Sequence, residues 1–224
     1  MFIEIQEAFE AIGAELFEEK RGNRFEIDIE SRSNQELYRL RYPQFDDLYL
    51  EAMDVKPRDR HLVLDVAGTN LPISGRFLCG HDERHWFVAA LPFHRKTTTV
   101  RGAMEALKPE LVRREQKRKG VKHRRNRRKT AAYHRQGEWF FLPRPKMNAN
   151  GAEVQGGVLV RGQGKPHRVE WIYHAPGGET FVRGAVSHPD HETIRFDVWH
   201  RVVQNQEPEP TPVAKPVTKM LYID

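Results

Sequence analysis

With one cysteine, Cys79, in 224 residues, the chain cannot form an internal disulfide, and the cystine-stapled extracellular scaffolds are excluded. Long apolar runs are missing too. The longest, residues 86–92 and 139–143, fall far short of the roughly 20 residues that carry a helix across a bilayer. The opening stretch, MFIEIQEAFEAIGAELFEEK, is acidic and amphipathic, whereas a signal peptide begins basic and continues apolar. A cytoplasmic protein without membrane association is therefore expected. Signatures of familiar chemistries are also lacking. Neither a GxSxG elbow nor an HExxH helix is present. Gly162-x-Gly164-Lys165-Pro166 lacks phosphate-loop spacing, and Pro166 opposes the helix that would have to follow. Nothing points to a nicotinamide or flavin site, and no cofactor is expected.

Charge is present in quantity and is segregated. Residues 113–129 hold eleven Lys/Arg against one acid; of the chain's 37 basic and 31 acidic residues, this leaves 26 and 30 elsewhere. The net charge of +6 thus combines a dense basic strap with a mildly acidic remainder, most acidic over the first 56 residues.

Phe2, Ile5, Phe9, Ile12 and Leu16 recur at helical spacing, and the break at Arg21-Gly22-Asn23 ends that helix. Phe25, Ile27 and Ile29 alternate with acids as in a half-buried strand. Leu37, Leu40, Leu48 and Met53 fit two short helices broken at Tyr42-Pro43. Strands are expected over 61–67, 75–79 and 85–91, the last two joined as a hairpin by residues 80–83. A helix over 99–107, capped by Thr97, Thr98 or Thr99, ends at Lys108-Pro109; helix resumes at Glu110 and stops at Gly120.

Beyond the strap the texture is β-rich, over 138–142, 158–160, 168–174, 180–187 and 193–203. Gly177-Gly178 and His188-Pro189-Asp190-His191 sit at hairpin spacing, so an antiparallel meander is the economical arrangement, with His200 pointing inward. Residues 204–219 contain four prolines and read as a solvated tether. It ends in an apolar plug, Met220, Leu221, Tyr222 and Ile223, suited to a protein partner or a second subunit. The fold class is thus α+β. An acidic helix-containing part with a central β-hairpin (1–108) is followed by a basic connecting segment (109–136), a C-terminal antiparallel β-meander (137–204) and the tail (205–224). Residues 1–204 are also compatible with one domain.

The strap carries the functional expectation. Arg113, Arg114, Lys117, Arg118, Lys119, Lys122, Arg124, Arg125, Arg127, Arg128 and Lys129 repel one another and cannot be buried together, but phosphates neutralise such a run and release its counterions. Tyr133 is placed to stack on an unpaired base, whereas Trp139, Phe140 and Phe141 read more simply as a core strand. A solvated loop, or a strap lying on acidic surface, is the bland alternative. The favoured reading is a non-enzymatic nucleic-acid-binding accessory protein. RNA is preferred over DNA because no helix-turn-helix, zinc finger or basic zipper is apparent.

Two histidine groups offer chemistry. Cys79, His81 and His85 surround the hairpin turn, but a lone thiol is poor evidence for zinc, so no metal is expected there. His188 and His191, with His174 and His200 on flanking strands, offer the acid and base of a metal-independent nuclease, with Lys165, Arg183 or Arg195 as the cation. An ordinary Pro-Asp turn explains the same residues. Two alternatives therefore remain: a small His-dependent nuclease, and a protein adaptor that uses the strap and tail.

Overall fold

The computed structural model describes residues 4–21, 25–32, 35–43, 48–68, 74–93, 95, 97–121, 127–161 and 165–208. Among these the fold is mixed and mostly β, with three α-helices and thirteen strands in three sheets. The chain divides into two compact units, residues 1–107 with 206–224, and residues 108–205.

In the first unit, α1 (Ile5–Ala11) leads into β1 (Leu16–Lys20), β2 (Glu26–Arg32) and β3 (Gln35–Tyr42). These form a three-stranded sheet in the order β1-β3-β2, with β1 parallel to β3. β4 (Leu48–Lys56), β5 (His61–Gly68), β6 (Ser74–Asp82) and β7 (His85–Ala90) make a four-stranded antiparallel meander, and α2 (Val100–Leu107) follows.

Alternation along β5 shows how the layers share this meander. Leu62, Leu64 and Val66 join Phe9, Ile12, Ile27, Tyr38 and Leu40 in one core, while Val63 faces Ala103 and Leu107 of α2 in another. Tyr38 ties the two sheets together. Its buried hydroxyl lies 3.0 Å from Gly80 O and 2.7 Å from Phe87 O, a backbone pair of the β6–β7 hairpin. Thr99 Oγ1 caps α2 by accepting from Gly102 N at 3.1 Å.

Two expectations for this region need correction. The opening helix stops at Ala11, Gly13 adopts φ +81°, and Leu16 begins a strand. The residues expected in two short helices, Leu37, Leu40, Leu48 and Met53, lie on β3 and β4. The physical reason lies in long-range pairing. Arg39 bonds Glu19 of β1 and Glu30 of β2, and Arg41 bonds Glu26 of β2, so β3 is the central strand of a sheet cross-linked by charge on one face. Tyr38 and Leu40 bury on the other. Local helical spacing carries none of this information.

In the second unit, α3 (Glu110–Arg118) precedes a six-stranded antiparallel sheet. Its strands are β8 (His134–Gln136), β9 (Trp139–Pro143), β10 (Val154–Leu159), β11 (His167–His174), β12 (Thr180–His188) and β13 (His191–Gln204), in the order β10-β11-β12-β13-β9-β8. The expected hairpins are present as β11 to β13; β10, expected over 158–160, runs Val154–Leu159 beside β11, and β9 and β8 are added beyond β13. The sheet curls. Arg161, just past β10, donates to Asn205 Oδ1, just past β13, at 2.7 Å, although two strands separate β10 from β13 in the sheet order. The curl encloses Trp139, Phe141, Leu159, Val169, Ile172, Val182, Val186 and Phe196. Phe181 and Trp199 pack in a separate cluster, and Val112 of α3 packs with Tyr133, Phe140 and Leu142 in a third.

Gly184 lies at a register change in this sheet. It adopts φ +81°, a region that suits glycine, where the pairing of β12 shifts register against both neighbours. The Glu170 carboxylate accepts from Ala185 N at 2.8 Å beside it, in the space a side chain at position 184 would need.

Candidate functional site

The strap begins as a regular helix. Val112 and Gln116, four apart, bury one face of α3, which sets exposed Arg114, Lys117 and Arg118 on the opposite face. Gly120 at φ +62° ends it, and Val121 N returns to Gln116 O at 3.0 Å. Arg113 is half-buried, bonding Glu110 at 2.9 Å and Lys108 O at 2.8 Å. Arg118 bonds Glu115, which also pairs with Arg144 at 3.0 Å. Lys122, Arg124 and Arg125 lie outside the described residues.

The run resumes with Arg127, Arg128 and Lys129, all exposed and held along the sheet edge. Lys129 bridges to His134, and Arg135 N donates to Arg128 O. Arg114, Lys117, Lys119, Arg127 and Lys129 therefore stand exposed on one unit, some on a helix face and some on a pinned edge. Tyr133 is not with them. It is fully buried, edge-on to Phe140 at 5.1 Å, so stacking on a base would require opening the core. Trp139, Phe140 and Phe141 are buried on β9. Met220, Leu221, Tyr222 and Ile223 lie outside the described residues.

The hairpin group does not converge. Cys79 is fully buried in the sheet core, where burial pushes its thiol well above the usual range. His81 packs edge-on to Trp86 at 4.9 Å, and His85 bonds Glu36 at 2.7 Å. Each has a structural partner of its own.

The second histidine group is divided and rebuilt. His174 lies at the far end of β11, bonded to Thr180 Oγ1 at 3.1 Å. His200 sits opposite Val182, stacked on Phe196 at 3.9 Å and 5.8 Å from His134. Burial lowers the affinity of His200 for protons. It also lowers His134 to about 4, with His200 and Lys129 adding to the effect. Arg183 lies over the rings of Trp199 and Trp171.

His188 and His191 remain together and are joined by His167, which sequence reading did not select. The ligating nitrogens of these three all lie within 4.8 Å of one another. Their positions follow from strand pairing. His188 and His191 face each other across the Pro189-Asp190 turn, and the Arg168–Ser187 pairing brings His167 alongside His188. Three adjacent strands thus deliver three imidazoles to one end of the curled core. Lys165 Nζ holds both oxygens of Asp190 at 2.8 and 2.9 Å beside them.

A groove of about 500 Å³ in the same unit is lined by Trp139 and residues 158–160, 177–180 and 201–204, with Arg201 and Glu179 paired at 3.2 Å. Among the described residues no helix is long and apolar enough to cross a membrane. No protein-family model matches the chain, nor does any curated protein or solved structure.

Proposed function

We propose that the protein binds nucleic acid through the cationic surface of its second unit, preferring RNA, as a non-enzymatic accessory factor of a ribonucleoprotein type. One observation carries this reading: the exposed cations on α3 and on the 127–129 edge are displayed by folded backbone, separate from the buried aromatics that follow them. Fixed cations meet phosphates at little ordering cost. Arg118, whose side chain is 62% exposed, can leave Glu115 for a phosphate, because Glu115 keeps Arg144 as a partner and a phosphate competes for the same guanidinium. With Tyr133 and its neighbours in the core, recognition is electrostatic and tolerant of sequence.

The test is fluorescence anisotropy of a labelled single-stranded RNA, with the matching DNA in parallel, between 50 and 200 mM salt. Six to ten phosphate contacts imply a log–log slope of about −4 to −7 for a single strand. Absence of binding, or a slope near zero, overturns the reading.

A further inference from the structure

We propose that His167, His188 and His191 form a binding site for a divalent transition-metal ion of the zinc type, with a fourth position left for water or an outside ligand. Their ligating nitrogens already lie within 4.8 Å of one another. All three side chains are buried: His167 and His191 are 1% and 7% exposed, and the His188 side chain 6%. The rings lie nearly parallel, with His167 4.2 Å from His188 and 5.9 Å from His191. Zinc–nitrogen bonds of about 2.0–2.1 Å place tetrahedral ligands roughly 3.3 Å apart, so rotations of the side chains close the remaining distance.

The donor chemistry selects the ion. An all-imidazole set suits zinc and its borderline neighbours, and the lack of a carboxylate among the three disfavours calcium and magnesium. The strand ends supply a rigid frame. His188 is already oriented as metal-bound histidines are. With the hydrogen on Nε2 it donates to Lys165 O at 3.3 Å, which leaves the Nδ1 lone pair for the ion. That lone pair now accepts a long bond of 3.2 Å from Asp190 N, which ligation would displace. The Asp190 carboxylate is engaged by Lys165 and lies 4.0 Å from His188 Nδ1, close enough for an outer-sphere role. Lys165 in turn offsets its charge.

The site is independent of the basic surface and of the Cys79 hairpin, so its test does not depend on nucleic-acid binding. Full-length protein stripped with chelator is titrated with Zn²⁺ by calorimetry and with Co²⁺ by visible absorbance. The expected result is one ion per chain, a tetrahedral cobalt spectrum and a raised melting temperature. His167→Ala and His191→Ala should each weaken binding by more than roughly 100-fold, beyond the 10–100-fold typical of an outer-shell group. His174→Ala and Cys79→Ala should bind like the parent. Should a ligand variant fail to fold, imidazole NMR of the parent protein decides: Zn²⁺ must perturb the resonances of these three rings and leave His174 unchanged. The proposal is overturned if the folded parent takes up no ion, if the ligand variants bind as tightly as the parent, or if the perturbed rings are others.

Discussion

The imidazole of His167 lies face to face with that of His188, ring centroids 4.2 Å apart and planes inclined by 25°. The two belong to neighbouring strands, and their meeting follows from a one-residue bulge in β12. From the turn at 177–178 the β11–β12 register runs evenly to Trp171 opposite Arg183, then gains one residue on β12 around Gly184. Without that extra residue His167 would fall opposite Ser187, and the side chains beyond the bulge would change faces.

Gly184→Ala should therefore damage stability and the histidine group together. A Cβ there would lie 2.5 Å from Glu170 Oε2 on a backbone at φ +81°. A loss of about 1–3 kcal/mol is expected in urea unfolding. The NMR shifts of His167 should move even in molecules that remain folded; an unchanged melt and unchanged shifts would show that the bulge has no role in the register.

Tyr38→Phe should cost about 1–3 kcal/mol in the first unit, because it removes the hydroxyl from Gly80 O and Phe87 O while leaving the ring contacts with Phe9 and Trp86 in place. Burial also holds the phenol well above its usual range. Amide exchange at the β6–β7 hairpin should quicken selectively, and protection equal to that of the parent protein would contradict this account.

Replacing Arg114, Lys117, Lys119 and Arg127 together by Ala should reduce the magnitude of the salt slope for single-stranded RNA by about 3 units. Stability should stay within about 0.5 kcal/mol per site, since these residues are exposed. A collapse of the melting temperature would instead assign the strap a structural role.

Acid should weaken the second unit before its carboxylates titrate. His134, lowered to about 4, and His200, also lowered, stay neutral in the folded chain while their unfolded counterparts gain protons below about 6.5. The unfolded state thus binds more protons between about pH 6.5 and 4, and stability falls as pH falls through that window, for His134 by on the order of 2 kcal/mol. Glu115, lowered by Arg118 and Arg144 against the opposing effect of burial, adds its own loss only below about 4.5. Melting curves from pH 7 to 4.5 should show the early loss, and His134→Phe should flatten it; a slope identical to the parent's would count against His134 as its source.

Where structure is set locally, the sequence was legible. The helix from Glu110 to the glycine stop at Gly120, the β6–β7 hairpin and the C-terminal hairpins all follow from turn chemistry and alternation, although Gly80, His81 and Asp82 pair within the β6–β7 ladder and the turn itself falls at Glu83-Arg84 and not over 80–83. The first sheet was obscured because β1 is paired in parallel with β3, Leu16 opposite Tyr38, and no local pattern reports so distant a partner. Two of the three histidines in the cluster, His188 and His191, could be read from the His188-Pro189-Asp190-His191 turn. His167 escaped because its place depends on counting through a bulge, although a glycine inside an otherwise regular strand, Gly184, was the available signal.

The first unit is completed from both sides of the second. Gln206 N donates to Leu107 O at 2.8 Å, and Ala90 N donates to Glu207 Oε1 at 2.8 Å. The stretch 108–205 is thus inserted, in sequence, between the two parts of the first unit. During synthesis the order of emergence is fixed: all of 108–205 clears the ribosome before residues 206 and 207 can close the unit whose larger part precedes it. Residues made earlier must wait for these later ones, and the inserted sheet has the first opportunity to become a finished body.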